Sequence, residues 1–154
     1  MSDSRQLLVF RLDARRIALD LAVVERVIRA VAITPLPAAP EGVCGVIQLH
    51  GKVVPIFDIR QRFGLPGRTL RLSDQIVIAR TDRPVGLCVD EIEAVAAYPV
   101  ERIVAADSVL EGLAHVQGVV SLDDGLLLVH DLAGFLSLEE ARQLGSALAQ
   151  LPAA

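Results

Sequence analysis

The 154-residue chain has no tryptophan, a single tyrosine and four phenylalanines. It carries 15 Lys and Arg against 19 Asp and Glu, a formal net charge of −4, and no basic cluster. Nucleic acid is a poor partner for such a surface, because phosphates find no concentrated cations and bases find few rings to stack on. No uncharged apolar run approaches the roughly 18 to 20 residues that cross a bilayer. The start, MSDSRQLLVF, has neither the basic n-region nor the apolar h-region of a leader. A soluble cytoplasmic protein without direct membrane insertion is expected. Only two cysteines occur, Cys44 in GVCGVI and Cys88 in GLCVD. Their apolar settings predict small buried thiols in a reducing compartment, with a disulfide or metal pair as the lesser alternative.

The motifs of catalysis are missing as well. There is no HxxxH, CxxC or HExxH, no Gly-x-Gly-x-x-Gly or Gly-Lys-Ser/Thr loop, and no Gly-x-Ser-x-Gly elbow. The three histidines are scattered. His50 sits beside a turn glycine, where it either hydrogen-bonds locally or touches a partner. His130 precedes Asp131 at a strand end, and a zinc site there lacks a third ligand. His115 follows a loop and reads as solvated. Asp90, Glu91 and Glu93 read as a solvated acidic face rather than a general acid and base. No enzyme, cofactor or metal site is expected from this census.

What the chain does have is aliphatic residues and repetition. It is 53% hydrophobic, mostly Val, Leu, Ile and Ala, which is ample for one domain with a large core. GVIQLHGKVVPIFDIRQRF (Gly45–Phe63) lies over GVVSLDDGLLLVHDLAGF (Gly118–Phe135). Both read Gly-Val-aliphatic-x-Leu, then a turn glycine, an aliphatic run, Asp, an aliphatic and a closing Phe. Gly51 and Gly125 supply the backbone angles of tight hairpins. Asp58 and Asp131 stand where a carboxylate can accept the free N–H groups of a first helical turn. A weaker pair sets Leu7–Val27 over Ile76–Val95, each a hairpin with Asp at the bend and an aliphatic–Glu–x–Val tail. Such spacing predicts a two-lobed molecule in which each unit can close a small barrel and share a buried seam.

Short Val/Ile-rich segments bounded by Gly, Pro and Asp predict strands at Leu7–Leu12, Arg16–Leu21, Gly45–Leu49, Val53–Phe57, Ile76–Ala79, Val85–Val89, Val116–Leu122 and Leu126–Val129. Pro55 cannot donate to a ladder, so its strand is expected at an edge or bulged. TPLPAAPEG and FGLPGRTLRLSD read as connectors. Ala22–Arg29 reads as a short helix, apolar on one side. Ser137 with Glu140 forms a capping box, and the helix after it sets Leu138, Ala141, Leu144 and Leu148 on one face. Val23, Val24, Val27 and Ile28 make an aliphatic stripe that is either core or partly exposed for a partner.

These motifs in order (LLVFRLD, ALDLAVVERVIRAVAITPLPAAPEGV, GVIQLHGKVVPIFDIRQRFG, PVGLCVDEI and GVVSLDDGLLLVHDLAGFL) resemble the CheW family of chemotaxis coupling proteins from end to end. The resemblance implies a mainly β fold of two small five-stranded barrels, SH3-like or OB-like, sharing a hydrophobic core, with short helices. It implies a single domain over 1–154, with lobes at roughly 14–70 and 75–136, an N-terminal strand free to cross between them, and a C-terminal helix at 137–149. It implies a non-catalytic adaptor joining a CheA-type histidine kinase, through its regulatory domain, to the cytoplasmic tips of methyl-accepting chemotaxis receptors in a membrane-associated array. The receptor-binding groove it implies comprises Val24, Val27, Ile28, Gly45, His50, Gly51, Gly86 and Ile92. One motif departs from the family: Leu49-His50-Gly51 stands where Leu-Arg-Gly is usual, and Arg26 where several relatives carry Glu. That puts the usual ion pair within the lobe, though not the fold, in question, and raises the alternative of a coupler for a non-flagellar pathway, governing surface behaviour, pili or a second messenger. The rival from another class is a small-molecule or metal-binding protein, or a hydrolase, using His130, Asp131 and His50 around an interlobe pocket.

Overall fold

A computed structural model describes residues 3–105, 116–132 and 138–151. The expectations placed on His115 and on the Ser137 cap lie outside the described residues. In chain order the elements are β1 (Ser4–Leu12), β2 (Arg15–Asp20), β3 (Val24–Arg29), β4 (Val43–Leu49), β5 (Lys52–Phe57), β6 (Gln75–Arg80), β7 (Pro84–Val89), β8 (Glu91–Pro99), β9 (Ile103–Ala105), β10 (Val116–Leu122), β11 (Gly125–His130) and helix α1 (Leu138–Ala149). The mainly β class and the C-terminal helix stand.

The strands form two sheets, ordered β8-β1-β2-β11-β10-β9 and β3-β6-β7-β5-β4. They are open sheets of six and five strands, rather than two closed five-stranded barrels: β9 adds a sixth strand to the first, and the end strands of each sheet, β8 with β9 and β3 with β4, form no ladder with each other. Nor do the strands divide at 14–70 and 75–136. Among the described residues, the six-stranded sheet draws its strands from 4–20, 91–105 and 116–130, and the five-stranded sheet from 24–89. Each repeat lends its first hairpin to the sheet built by the other: β1–β2 to β8–β11, and β6–β7 to β3–β5.

Side-chain alternation explains why the strands read as nearly continuous apolar runs, since most face an apolar layer on both sides. Along β1, Leu7 and Val9 enter a small core with Ala18, Val120, Leu127 and Val129. Leu8, Phe10 and Leu12 point the other way, into a layer shared with Phe57, Val77, Leu87 and Val89 of the second sheet. The five-stranded sheet has its own small core of Ile47, Val54, Ile56, Ile76 and Ile78. Helix α1 covers the shared layer with Leu144 and Ala147, and half-buried Leu148 packs beside them. Ala141, expected on that face, is exposed.

The segment expected as a helix at 22–29 is a three-residue 3-10 turn leading into β3. Apolar residues at 23, 24, 27 and 28 fit a helical stripe, and the same spacing arises in a bulged strand. The pairing of β3 with β6 slips by one residue between Val24 and Arg26. That extra residue turns Val24 and Val27, three apart, onto one side against the shared layer. β8 carries the matching irregularity opposite Val9 and Phe10 of β1, and nothing in its sequence pattern predicts a strand there.

Pro55 lies in an interior strand, between β7 and β4, not at an edge. Opposite it, Val46 exchanges both its backbone hydrogen bonds with Thr34, at 2.9 and 2.8 Å, so the Val46–Pro55 pair needs none across the ladder. On the other side, pairing with β7 begins only at Ile56. The missing donor therefore leaves no ladder acceptor unmatched.

Candidate protein-interaction site

β3 forms one edge of the five-stranded sheet. Its alternation leaves Glu25, Arg26 and Arg29 exposed, with Val24, Val27 and Ile28 half-buried between them. Charges on an edge strand discourage indiscriminate strand pairing. Glu25 accepts from Arg80 at 3.3 Å. Val24 and Val27 pack on the shared layer, whereas Ile28 faces the sheet's own core. Ile92, on β8, also packs half-buried on the shared layer, its N–H donating to Gln75 Oε1 at 2.8 Å.

The β4–β5 turn is His50-Gly51, closed by the Leu49–Lys52 pair. Both residues have positive φ, 51° and 78°, the geometry of the tightest hairpin turn. Glycine adopts it freely, and histidine does so more readily than most side chains. Although β3 and β4 lie at opposite edges of their sheet, Arg26 Nη1 donates to His50 Nε2 at 2.7 Å. The sheet therefore curls until its rims meet through side chains alone.

The remaining groove candidates play a different part. Gly45 and Gly86 are buried. A Cβ on Gly86 would meet Ile56 Cδ1 at 2.5 Å and Ile76 Cγ2 at 2.9 Å, and one on Gly45 would collide with the Thr34 carbonyl. Their small size serves packing within the sheet, rather than the approach of a partner. Of the eight residues, Val24, Val27 and Ile92 line the shared layer. His50 and Gly51 form an exposed corner, and Ile28, Gly45 and Gly86 belong to the interior of the five-stranded sheet.

A charge network missed in the sequence fastens the two sheets. Arg60, 3% exposed, pairs with Asp90 and, at 3.1 Å, with Asp13 in the β1–β2 turn. Arg68 joins the same Asp90 at 2.6 Å and Asp74 at 2.6 Å. Burial alone would raise the pKa of Asp74, but hydrogen bonds from Arg68 and the Arg71 N–H hold it below the usual carboxylate value. The visible signal was the Asp58-x-Arg60 motif, where the Arg60 N–H donates to Asp58 Oδ1 at 3.0 Å. The expected helical-turn cap at Asp58 is this contact, just ahead of a 3-10 turn over Gln61–Phe63.

The cysteines are less buried than expected. Cys44 is exposed, Cys88 half-buried, and both are free thiols. They share a small cavity with Asp58, Arg60, Arg68 and Asp74. A hydrogen bond from Cys88 holds the Cys44 thiol below its ordinary value, and the same bond, with burial, pushes Cys88 up. His130 is buried with its ring 5.6 Å from that of Phe63, while His50 stands on the exposed corner of the other sheet. They do not meet around a pocket. Among the described residues, no three His, Cys, Asp or Glu side chains converge as metal ligands, and no helix is long and apolar enough to cross a membrane.

Two β sheets packed over a common apolar layer, with an aliphatic strand along one edge, define a two-sheet β module. The CheW-like domain model matches residues 6–140, and the chain belongs to that family. It is 26% identical over 148 residues to the chemotaxis protein CheW of Treponema pallidum, covering 92% of this chain and 87% of that one. It is 28% identical over 145 residues to the CheW of Bacillus subtilis, covering 89% and 90%. The scaffolding protein TtCheW of Thermoanaerobacter tengcongensis superposes with a TM-score of 0.79 at 28% identity, covering 91% of this chain and 96% of that one. The chain is thus a CheW-family scaffold protein of chemotaxis.

Proposed function

We propose that this protein couples the cytoplasmic tips of chemoreceptors to the regulatory domain of a CheA-type histidine kinase, at the inner face of a membrane array, without catalysis. The observation that carries the reading is β3, an edge strand whose half-buried Val24 and Val27 continue the shared apolar layer outward to the surface. An amphipathic helix laid along that rim would bury its own aliphatics against them. Removing water from apolar surface contributes roughly 25 cal/mol per Å². Immobilising two partners offsets much of it, so single contacts are weak and gain strength from the many copies in an array. The kinase domain would meet the protein sheet to sheet, leaving the β3 rim for the receptor.

The test is co-capture with a receptor cytoplasmic fragment and the kinase regulatory domain. Val24→Asp should weaken receptor capture about fivefold to a hundredfold, since a desolvated carboxylate on an apolar rim costs about 1–3 kcal/mol. Kinase binding should hardly change, and the lower thermal stability expected from a carboxylate against the shared layer should leave the protein folded at the temperature of the assay. Undiminished receptor capture by this variant would show that the groove lies elsewhere.

A further inference from the structure

The two β4–β5-type hairpins occupy equivalent corners of their sheets and differ in charge. Matching the ladders sets His50-Gly51 against Asp123-Asp124, Arg26 against Ala94, Glu25 against Glu93, and Pro84 against Arg16. In the six-stranded sheet the corner is closed electrostatically. Arg16 binds Asp124 through both carboxylate oxygens at 2.8 Å and reaches Glu93 at 3.1 Å, while Arg11 pairs with Glu91 and Glu93. In the five-stranded sheet Glu25, the carboxylate beside Arg26 on β3, is held by Arg80. Arg26 and Lys52 have no carboxylate within ion-pair distance among the described residues.

Arg26 instead donates to His50 Nε2. A ring nitrogen that accepts cannot also carry a proton, so the neutral imidazole holds its proton on Nδ1 and cancels none of the guanidinium's charge. The contact orients Arg26 without neutralising it. The Arg26 side chain stays exposed, with Lys52 two residues from His50 across the turn. In a chain of net charge −4, the fold places carboxylates on the equivalent corner and leaves this one cationic.

We propose that Arg26, positioned by His50 and assisted by Lys52, is a recognition site for a carboxylate on the helix that docks along β3. The partner must then carry an Asp or Glu one or two helical turns from its aliphatic contacts, received by a guanidinium fork already held in place. This specifies the charge of the partner for the adaptor reading and rests on it.

Binding of the full-length protein to a chemoreceptor cytoplasmic helical-hairpin fragment would be measured at about 50 mM and about 300 mM NaCl, where screening differs strongly. Wild type should bind and weaken with salt. Arg26→Glu should bind about tenfold more weakly at low salt and lose most of the salt response, while Arg26→Lys keeps most of both. Lys52→Glu, at a side chain that makes no ion pair among the described residues, should weaken binding less. It keeps the question open to measurement if losing the Arg26–His50 bond disturbs the sheet. Unchanged affinity and salt response in both charge reversals, with Val24→Asp still defective, would overturn the carboxylate site and leave the adaptor reading standing. Failure of folded wild type to bind the fragment at either salt would overturn both.

Discussion

The six-stranded and five-stranded sheets are built on one repeated plan and put it to different uses. Each contains a bulged strand and a hairpin with a glycine at the bulge. Each also ends its last hairpin on a buried aliphatic: Ile59 and Leu132 hold equivalent places and both are buried. The two differ in the residue next along the chain and in charge. Arg60 succeeds Ile59, and an alanine, Ala133, succeeds Leu132. The five-stranded sheet therefore supplies the cation that fastens the two units. The six-stranded sheet instead pairs Arg11 and Arg16 with Glu91, Glu93 and Asp124 among its own strands at the equivalent corner. The repeated plan sets the scaffold, and a few polar side chains distinguish the two sheets.

The sharpest way to break this comparison is to remove the fastener. Arg60→Ala strips half-exposed Asp13 of its cation and leaves Asp90 to Arg68 alone, so the loss falls at the low end of that for a broken buried ion pair, about 3 kcal/mol. Urea denaturation should show that loss, and a change below about 1 kcal/mol would mean that the network is incidental. Next come the bulge glycines. A Cβ at Gly45 strikes the Thr34 backbone carbonyl, whereas one at Gly118 meets chiefly the Ile103 side chain at 2.8 Å, which can turn aside. Gly45→Ala should therefore cost about 3 kcal/mol and Gly118→Ala about 1–2 kcal/mol. Equal costs would refute the asymmetry drawn between the two hairpins.

Acid offers a gentler probe. Asp74 and Asp20 would be raised by burial, but hydrogen bonds from Arg68 and the Arg71 N–H, and from the Ala22 N–H and Arg5, hold both below the ordinary carboxylate value. A carboxylate lowered by folding stabilises above its unfolded pKa, about 3.9, and that contribution disappears as the pH drops through the lower folded value. Tm should thus fall with acidification below about pH 4. Asp74→Asn should flatten the acid limb more than Asp20→Asn, because Asp74 is the more deeply buried. The smallest effect belongs to the exposed Arg16–Asp124 pair. Asp124→Ala should leave the urea midpoint and receptor capture at the wild-type level.

Much of this architecture was legible in the order of residues. Eight strands fall close to where Val/Ile runs and turn glycines predict them, since alternation and hairpin chemistry act locally. β3 and β8 were hidden because a bulge gives a strand the spacing of a helix, and only the partner strand reveals the extra residue. Pro55 misled for a related reason: whether a missing N–H matters depends on where the neighbouring ladder begins. At the candidate site, His50, Gly51 and the Val24/Val27 rim were identifiable as surface features of a family motif. That Gly45 and Gly86 serve packing was not, because the atoms they make room for, in Thr34, Ile56 and Ile76, come from other strands and loops.

By itself the sequence determined the β class, the duplication and the lack of any catalytic motif, for these rest on composition, short-range periodicity and motif spacing. Only the tertiary structure decided that the repeats exchange their first hairpins, that Arg60 bridges the sheets, and that Arg26 meets His50 across the open rim. Those outcomes depend on which strands lie side by side after the sheets curl and pack, and burial of apolar faces, being non-directional, leaves that choice to the whole fold.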